Sequence, residues 1–404
     1  MKQNNKRKKI LVICQHYYPE NFQITPICEQ LVEDGYDVTI LTGLPNYPTG
    51  IVPDEYKKGH RDEIINGVHV VRGYEIGRRK GPLWLAINYV SFTLSFLHKV
   101  NMLSGDFDIV LVYQLSPVLM ALPGIKYANK HKVPLMIYCC DLWPESMKMY
   151  IKNEKNILFR AMKRISQKVY SRADVLAVQS KSFINYMEQT HGIKRDKMIY
   201  MPAFADETYL ETDFTSDDNV VDFVFLGNLG IAQNLISVLE AVNKIKDVPN
   251  FKVHFVGDGS CLGQMKEFVN NNGLEDIVQF YGRRPVEEMP KFYKLADACL
   301  VSLKADNATG LTLPSKVQGY MAAGLPIIGM IDGSAQEVIA EAKCGLCVNA
   351  DDVDGFARVM KNFIENKEEY RNFGLNGRKY FKDNFNKRKL LDSIEKSIDN
   401  LIER

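Results

Sequence analysis

The sequence predicts an α/β protein made of two doubly wound domains. Short apolar runs alternate with amphipathic stretches of helical length along most of the 404 residues. A polar, acidic stretch near 206–219 interrupts this alternation once. Hydrophobic residues make up 46% and charged residues 25%, which is typical of a globular protein with an ordinary core. We therefore expect domains at 1–205 and 206–386, with a last helix at about 387–404 packing back near their junction.

The first domain opens with a strand at 9–14, a helix at 22–34 and a second strand at 38–41. Gly35 ends the helix, and this order of elements is typical of a parallel sheet. Further strands are predicted at 108–113, 134–139, 175–178 and 198–200. No GxGxxG follows the first strand, so a nicotinamide or flavin enzyme is disfavoured.

Polar and aromatic residues follow the first two strands. His16, Tyr17 and Glu20 come after the first strand, and Asn46 and Tyr47 belong to a Gly- and Pro-rich loop after the second. Doubly wound sheets bind ligands at the carboxyl ends of their strands, so these residues are candidate ligand contacts. The alternative is that His16 is an ordinary loop residue and that turn chemistry alone explains the second loop.

Two carboxylates follow the strand at 134–139. Asp141 and Glu145 flank Trp143, one of only two tryptophans. Such a pair can orient hydroxyl groups or accept a proton. Asp141 can equally be a helix cap, with Glu145 in the first turn of that helix.

The segment 81–102 is the most apolar of the chain. Residues 83–97 carry no charge and include Trp84, while basic residues precede and follow them: Arg78, Arg79, Lys80, His98 and Lys99. The segment is too short for a comfortable membrane span. It is either a helix lying in a membrane surface or an interior helix of the first domain, and the sequence leaves both open.

In the second domain, strands are predicted at 222–226, 251–256, 278–281 and 298–303.

The stretch 310–326 then predicts a loop and a short helix, which Pro314 opens and Gly324 ends. None of the usual capping residues stands at its start, although Thr312 can serve, so the amides around 315–317 are available to an outside acceptor. Free amides beside Lys316 favour an anion, most simply a diphosphate. A surface helix that merely closes a strand-helix-strand unit is the alternative. We expect the cleft between the two domains to bind the ligand.

The charge and the cysteines limit the remaining possibilities. A net charge of +2 argues against general nucleic-acid binding, although Lys2, Lys6 and their neighbours make the start of the chain basic. No secretory signal is apparent, which predicts a cytoplasmic protein. Cys344 and Cys347 form the only CxxC among eight cysteines. This is weak evidence for zinc or redox chemistry, and reduced, mostly buried thiols are favoured.

Several motifs in order give the chain its resemblance to a known family. They are Pro19-Glu20, the loop 42–48, Asp141-Leu142-Trp143-Pro144-Glu145-Ser146, Gly227-Asn228-Leu229-Gly230, Val256-Gly257-Asp258-Gly259, Leu313-Pro314-Ser315-Lys316 and the run 320–326. On these motifs the chain resembles family 4 of the retaining glycosyltransferases, whose GT-B fold has two facing Rossmann-like domains. Within it, the chain is similar to the bacterial branch that builds O-antigen, capsule and colanic acid, including fucosaminyltransferase-like members.

The resemblance implies a nucleotide-sugar donor in the second domain, an acceptor on the first and a reaction that needs no metal or cofactor. Its diphosphate would rest on the helix opened by Pro314. The implied donor contacts are Gly227, Asn228, Gln233, Arg283, Arg284, Gly310, Leu311, Thr312, Pro314, Ser315 and Gln318. The implied acceptor contacts are His16, Tyr17, Glu20, Asn46, Tyr47 and Trp84. Lys316 would stabilise the departing diphosphate, while Asp141 and Glu145 would position the acceptor hydroxyl.

The chain departs from the family pattern at two places. The family's paired glutamates fall at Leu311 and Gly319, so the ribose contact is expected from elsewhere, with Gln318 as one candidate. The basic residues that many members place after the first strand of this domain correspond to Asn228 and Gln233. Arg283, Arg284 and Lys316 are the expected replacements.

The expected reaction transfers a sugar, an N-acetylated or 6-deoxy hexosamine, from a UDP-sugar with retention to a polyprenyl-diphosphate-linked glycan. It would take place at the inner face of the cell membrane, with an anionic membrane surface as a further partner and no nucleic acid. Two alternatives stay open: a nucleotide-sugar 2-epimerase of the same fold, and a non-catalytic nucleotide-sugar-binding partner of a membrane synthase. The missing glutamates favour the second alternative.

Overall fold

The computed structural model describes residues 7–79, 81–103, 105–214, 219–305 and 309–404. The chain divides into two compact units, one formed by Met1–Met201 with Leu390–Arg404 and the other by Pro202–Lys389. The boundary predicted at 205 lies four residues beyond Met201, and the one predicted at 386 lies three before Lys389. Lys2, Lys6 and Lys80, which the basic clusters include, lie outside the described residues.

The elements of the first unit alternate along the chain. Its strands are β1 (Lys9–Ile13), β2 (Asp37–Thr42), β3 (Asp62–Ile65), β4 (Val68–Arg72), β5 (Ile109–Gln114), β6 (Leu135–Cys139), β7 (Val175–Val178) and β8 (Met198–Tyr200). Its helices are α1 (Ile24–Glu33), α2 (Asp54–Lys58), α3 (Pro82–Lys99), α4 (Leu122–His131), α5 (Ile157–Arg172) and α6 (Lys181–His191).

The second unit continues this alternation. Its strands are β9 (Val221–Leu226), β10 (Phe251–Val256), β11 (Val278–Gly282), β12 (Ala298–Ser302), β13 (Ile327–Met330) and β14 (Gly345–Val348). Its helices are α7 (Leu235–Lys244), α8 (Leu262–Asn272), α9 (Met289–Leu295), α10 (Ser315–Ala323), α11 (Ser334–Ala342), α12 (Val353–Glu365) and α13 (Arg371–Asn384). The last helix, α14 (Lys387–Ile402), begins in this unit and continues into the first.

The first sheet has eight strands in the order β3-β4-β2-β1-β5-β6-β7-β8. All neighbouring pairs are parallel except β3 and β4, which form an antiparallel hairpin at one edge. The strand order reverses between β1 and β5. Because β1, β5 and β6 are almost wholly buried, they carry the core of this unit.

The second sheet has six strands in the order β11-β10-β9-β12-β13-β14. Every pair is parallel. The order reverses between β9 and β12, which are paired. In such sheets the crevice outside the carboxyl ends of the strands on either side of the reversal is where ligands bind.

Helix α14 packs on the first unit through apolar residues at helical spacing: Leu390, Leu391, Ile394, Ile398 and Leu401 are all buried. Asp399 on the same helix accepts hydrogen bonds from the Lys8 ammonium at 2.9 Å and from the Tyr36 hydroxyl at 3.0 Å. The apolar stripe explains why a helix late in the sequence belongs to the first unit.

Helix α3 has one buried and one exposed face. Asn88, Phe92 and Phe96 are buried, while Leu83 and Leu94 are 70% and 63% exposed. Of the two interpretations of this apolar segment, a helix wholly inside the domain is therefore wrong. Within the described residues, no helix is both long enough and apolar enough to cross a membrane.

Candidate active site

Helix α10 begins at the carboxyl edge of the second sheet, next to the reversal of strand order. Pro314 precedes it and Gly324 ends it with φ of 71°, which confirms the predicted Pro and Gly positions. Pro314 stands at the capping position, and its side chain makes no capping hydrogen bond. Ser315 is exposed, whereas the Val317 amide donates to the Pro314 carbonyl at 3.0 Å. The positive end of the helix dipole therefore faces outward at this first turn. Fewer of its amides are available to a ligand than the sequence predicts.

Lys316 extends from this first turn toward β9. Its Nζ lies 3.7 Å from the centre of the Phe225 ring and 3.5 Å from the place where a Cβ on Gly227 would stand. The nitrogen is buried and has no hydrogen-bond partner. Burial lowers the pKa of this ammonium to about 7, although the Phe225 ring favours its charged form. An unpaired buried cation at this place can accept an anionic ligand.

The loop after β9 forms the opposite wall. Gly227 has φ of 129°, and a side chain on Gly257 would overlap the Gly227 carbonyl, so the loops after β9 and β10 approach as only glycine permits. The Gln233 Oε1 atom is buried without a partner. It lies 3.1 Å from the Cβ position of Gly230, whereas Asn228 is exposed. Two orphaned polar atoms, Lys316 Nζ and Gln233 Oε1, thus flank one glycine loop.

The segment before α10 is held by the loop after β13. A side chain on Gly333 would overlap the Gly310 carbonyl, and the Ser334 hydroxyl donates to the Leu311 carbonyl at 3.1 Å. Thr312 and Pro314 are half-buried in this segment. These contacts place Gly310, Leu311 and Thr312 on the approach to the start of α10.

Three other predicted donor contacts have different surroundings. Gln318 is 4% exposed and donates to the Ala203 carbonyl at 2.6 Å, so the hypothesis that it contacts the ribose is not supported. Arg283 and Arg284 follow β11, which is two strands, or about 10 Å, from β9. Arg284 donates to the Tyr281 carbonyl at 3.0 Å. Lys316, in contrast, lies beside the Gly227 loop.

In the first unit, Glu20 connects the loops after β1 and β2. Its Oε1 accepts hydrogen bonds from the backbone amides of Asn46 and Tyr47, at 2.7 Å and 2.5 Å, and its Oε2 lies 2.8 Å from His16 Nδ1. The His16 ring stacks on Phe22 with centroids 4.7 Å apart. His16 is thus a fixed member of a two-loop network and not an ordinary loop residue.

A second carboxylate, which the sequence did not indicate, lies below these loops. Glu75 is 2% exposed and accepts hydrogen bonds from Gln15 Nε2 and Asn46 Nδ2, both at 2.7 Å, and from Asn88 Nδ2 at 3.3 Å. Burial, with a contribution from the Glu20 charge, raises the pKa of Glu75 to about 8 despite these three donors. Glu75 joins the loops after β1 and β2 to helix α3.

The predicted acceptor contacts divide into buried and exposed residues. Tyr17 is 1% exposed, and Asn46 is 2% exposed with its amide bonded to Leu44, Glu75 and Arg78. A direct contact of either with an acceptor is therefore not supported, because their polar atoms are enclosed by the fold. Tyr47 and Trp84 are 47% and 37% exposed and remain candidates.

Asp141 and Glu145 have separate partners at the end of β6. The Ser146 hydroxyl donates to Asp141 Oδ1 at 2.5 Å, and Ser116, which accepts from Trp143 Nε1 at 3.0 Å, bonds to Oδ2. Burial raises the pKa of Asp141. Glu145 accepts from the Tyr186 hydroxyl at 2.6 Å and pairs with Lys148 at 2.6 Å.

The turn that follows is a 3-10 turn, Glu145–Met149, preceded by Pro144 without a side-chain cap. The interpretation of Asp141 as a helix cap is therefore wrong. Asp141 is half-buried and Glu145 is buried, so Asp141 is the more accessible of the two carboxylates.

All eight cysteines are unpaired, and six are buried. Cys344 and Cys347 lie at β14, and burial raises the pKa of each thiol to about 12, so the CxxC pair has the character of packed thiols. Among the described residues, no three His, Cys, Asp or Glu side chains are grouped to hold a metal ion.

Two family models match the chain, one per domain. Residues 23–208 match "Glycosyltransferase Family 4", and residues 210–380 match "Glycosyl transferases group 1". Together they include the loop after β2 and the start of α10, whereas Glu20 and most of the loop after β1 come just before the first match.

Curated relatives share low identity over long segments. The chain is 25% identical over 264 residues to the probable glycosyltransferase WbjE of Pseudomonas aeruginosa, a match that covers 61% of this chain and 64%, just under two thirds, of WbjE. It is 23% identical over 337 residues to the putative colanic acid biosynthesis glycosyl transferase WcaI of Escherichia coli K12, covering 78% and 81% of the two chains.

The fold also matches solved structures. The Anabaena protein Alr3699/HepE, solved in complex with UDP, superposes with a TM-score of 0.70 at 13% identity, covering 98% of this chain and all of that one. The largely parallel sheets of the two α/β units, the two family models and this likeness all support one assignment. The chain belongs to the family 4 glycosyltransferases with the GT-B fold.

Proposed function

We propose that this glycosyltransferase moves a sugar from a UDP-sugar, with retention at the anomeric carbon and without a metal ion, to a polyprenyl-diphosphate-linked glycan. The acceptor hydroxyl forms a bond to the anomeric carbon, and the bond from that carbon to the diphosphate oxygen breaks. The hydroxyl proton passes to the departing diphosphate. This reaction requires a site that stabilises negative charge on the leaving group.

Lys316 is the observation that carries the proposal. Burying a cation without a partner destabilises the folded protein. An anionic ligand that pairs with this ammonium therefore gains the full electrostatic attraction. Lys316 lies in the first turn of α10, beside the glycine loop after β9 and at the reversal of strand order. A diphosphate fits these surroundings, because the helix dipole and the ammonium act on the same group.

The choice of UDP and of the pathway draws on the similar proteins. HepE was solved with UDP, and WcaI is named for colanic acid biosynthesis. A nucleotide sugar used to build a bacterial surface polysaccharide, such as O-antigen or capsule, is consistent with both. In the first unit, Asp141 positions the acceptor hydroxyl, while Glu145, held by Tyr186 and Lys148, supports the same loop.

A lipid-linked acceptor brings the enzyme to the inner face of the cell membrane. Helix α3 supports this location with an exposed apolar stripe that includes Leu83, Val90 and Leu94, at 70%, 48% and 63% exposure. Arg79 lies 4.6 Å over the Trp84 ring at the start of the helix. Apolar residues flanked by cations are typical of a helix in a membrane interface.

Helix α5 and the loop before it add a strongly basic surface. Seven basic residues occur between 152 and 172: Lys152, Lys155, Arg160, Lys163, Arg164, Lys168 and Arg172. All seven are exposed, and the single acidic residue there, Glu154, pairs with Lys148. Ile157 and Leu158, at the start of the helix, are 80% and 61% exposed. Anionic lipid headgroups complement this charge.

Neutralising part of the α5 surface is expected to weaken membrane binding. Replacing Arg160, Lys163, Arg164 and Lys168 by Gln should lower partitioning onto vesicles rich in phosphatidylglycerol about 10³-fold, because each of these four basic residues contributes about 1 kcal/mol near such a surface. Flotation at low salt measures this. The matched control replaces Lys246, Lys252, Lys266 and Lys361 of the second unit by Gln, with the same change in net charge. Equal loss in both variants, or no binding by the wild type, contradicts the proposed surface.

The proposed reaction is tested with labelled UDP-sugars and a lipid-linked glycan extract from a polysaccharide-producing bacterium. A panel of UDP-sugars is first screened by thermal shift, because a bound donor raises the melting temperature. Transfer of label into the lipid fraction with an α-configured product from an α-configured donor, undiminished by EDTA, is the expected result. Formation of an epimer from UDP-N-acetylglucosamine alone identifies the 2-epimerase instead. Stabilisation by GDP-sugars and not UDP-sugars contradicts the donor assignment.

A further inference from the structure

The first unit has a cavity of about 540 Å³, and none of the predicted acceptor contacts lines it. The loop after β2, together with the end of α2 and Arg61 beyond it, forms one side, and the loop between β4 and α3 forms the other. A side chain on Gly77 would overlap the Gly50 carbonyl, so the two loops are in close backbone contact. The cavity is therefore a built feature of the fold and not a gap between mobile side chains.

Three cationic side chains line this cavity: Lys57, Arg61 and Arg79. Arg61 as a whole is half-buried, and its guanidinium donates to the Lys57 carbonyl at 3.2 Å. Lys57 pairs with Asp54 at 2.6 Å, but the Asp54 side chain is 94% exposed, so water competes strongly for this pair. The one carboxylate in the lining, Glu75, faces the amides of Gln15, Asn46 and Asn88. The cavity thus favours an anion with several negative oxygens.

Part of the lining is apolar and continues toward α3. Leu44, Ile51 and Ile76 line the cavity beside the cations. Arg79 connects it to the start of α3, since its guanidinium lies 4.6 Å over the Trp84 ring. Beyond Trp84 comes the exposed apolar stripe of that helix. A ligand with an anionic head and a long hydrocarbon tail matches this arrangement, in which a cationic cavity is followed by an apolar surface.

We infer that this cavity binds the diphosphate head of an isoprenoid diphosphate ester, with the isoprenoid chain running along α3. The inference rests on the proposed function for its acceptor class, and adds a site to it. Arg61 and Arg79 hold the diphosphate oxygens, Arg being suited to bidentate contact. Glu75 lies between the cavity and Gln15, so a sugar on the diphosphate points toward the loops after β1 and β2, where His16 and Tyr47 lie.

The test measures binding of farnesyl diphosphate to the full chain by titration calorimetry, with farnesol and inorganic diphosphate as partial ligands. We expect farnesyl diphosphate to bind at least tenfold more tightly than either. Arg61→Ala and Arg79→Ala should each weaken it at least tenfold. Arg160→Ala, an exposed arginine on α5, and Lys316→Ala, in the nucleotide site, should leave it unchanged. Ile51→Asp, at a side chain 70% exposed, adds a repelling charge without burying it, and should also weaken binding.

Four results overturn the inference. Wild-type affinity in the Arg61, Arg79 and Ile51 variants removes the site. Equal affinity for inorganic diphosphate shows that the cavity takes free phosphates and not the lipid ester. Competition by UDP shows that farnesyl diphosphate occupies the nucleotide site. If the Arg61 and Arg79 variants still transfer sugar with an unchanged acceptor KM, the site is contradicted and the proposed function is not. Binding of farnesyl diphosphate without any sugar transfer supports the site and contradicts the proposed function.

Discussion

Replacing Lys316 with Ala should lower kcat by about 10²- to 10³-fold and leave the protein folded. The ammonium is placed to meet charge that develops on the departing diphosphate, and removal of one such group from a preorganised site typically costs this much. Its position over Phe225, beside the Gly227 loop, is fixed by burial. Initial rates with saturating donor and acceptor measure the effect.

Replacing Lys316 should also change the melting temperature of the protein, whereas replacing a surface lysine should not. Lys316→Met should raise the melting temperature of the ligand-free protein, because it removes an unpaired buried amine, and should abolish most of the stabilisation by UDP. Lys266→Ala, at an exposed position of α8 in the same unit, is the control and should change neither quantity. Full turnover in Lys316→Ala would remove this residue from the site.

The pH dependence of UDP binding follows from the same ammonium. Its pKa of about 7 in the free protein means that Lys316 loses its proton as the pH rises above 7, while a bound diphosphate keeps it charged. Binding therefore takes up a proton above pH 7, and affinity for UDP should fall up to tenfold from pH 7.5 to pH 8.5. Calorimetry in buffers of different ionisation enthalpy measures the proton uptake, which should disappear in Lys316→Met.

The start of α10 was predictable from sequence because local signals determine it. Pro314 and Gly324 delimit the helix through their own backbone preferences, and Lys316 follows the proline by two residues. These features do not depend on distant contacts. The same is true of the strands β7, β8 and β10, whose apolar runs have the predicted bounds.

The hairpin of β3 and β4 was not predicted, although a signal for it exists. Asn66 and Gly67 have φ of 47° and 82°, the angles of a type I′ turn, and the Asn-Gly pair is typical of that turn. Asp62 and Glu63 obscured the strand before it, because charged residues are frequent on edge strands and break the apolar pattern. Strand β14 was missed because its four residues overlap the CxxC of Cys344 and Cys347, which suggested other chemistry.

The polar networks of the first unit were beyond sequence reasoning. Glu75 meets Gln15 across 60 residues of chain and Asn46 across 29, and Ser116 meets Asp141 across 25. No local period or spacing brings such residues together, since the order of strands in the sheet does so. The same networks explain why Asn46, which looks accessible in a loop sequence, is enclosed.

Glu75→Gln should remove a large pH dependence from the stability of the first unit. The folded pKa of about 8 exceeds that of an ordinary glutamate, 4.5, so the folded state holds a proton that the unfolded state loses as the pH rises from 4.5 to 8. Wild-type stability should therefore fall over this range, by about 3 kcal/mol between pH 5 and pH 8, and level off above it. Denaturant unfolding followed by tryptophan fluorescence is the measurement, because both tryptophans, Trp84 and Trp143, belong to this unit.

Gln at position 75 can take the place of the protonated carboxyl, and both need the Gln15 amide to turn and give up its present bond to Asn88 Oδ1. The Gln15 Oε1 atom is buried without a partner, and a turn of the Gln15 amide brings this oxygen to the position where its nitrogen now contacts Glu75. That oxygen can accept a hydrogen bond from protonated Glu75 or from the new amide. Glu75→Gln should therefore match the wild type near pH 5 and exceed it by about 3 kcal/mol at pH 8. Glu33→Gln, an exposed change on α1, should follow the wild-type curve. A Glu75→Gln protein that is less stable at every pH would show that the three amide donors hold an ionised carboxylate, and that Glu75 is charged in the folded enzyme.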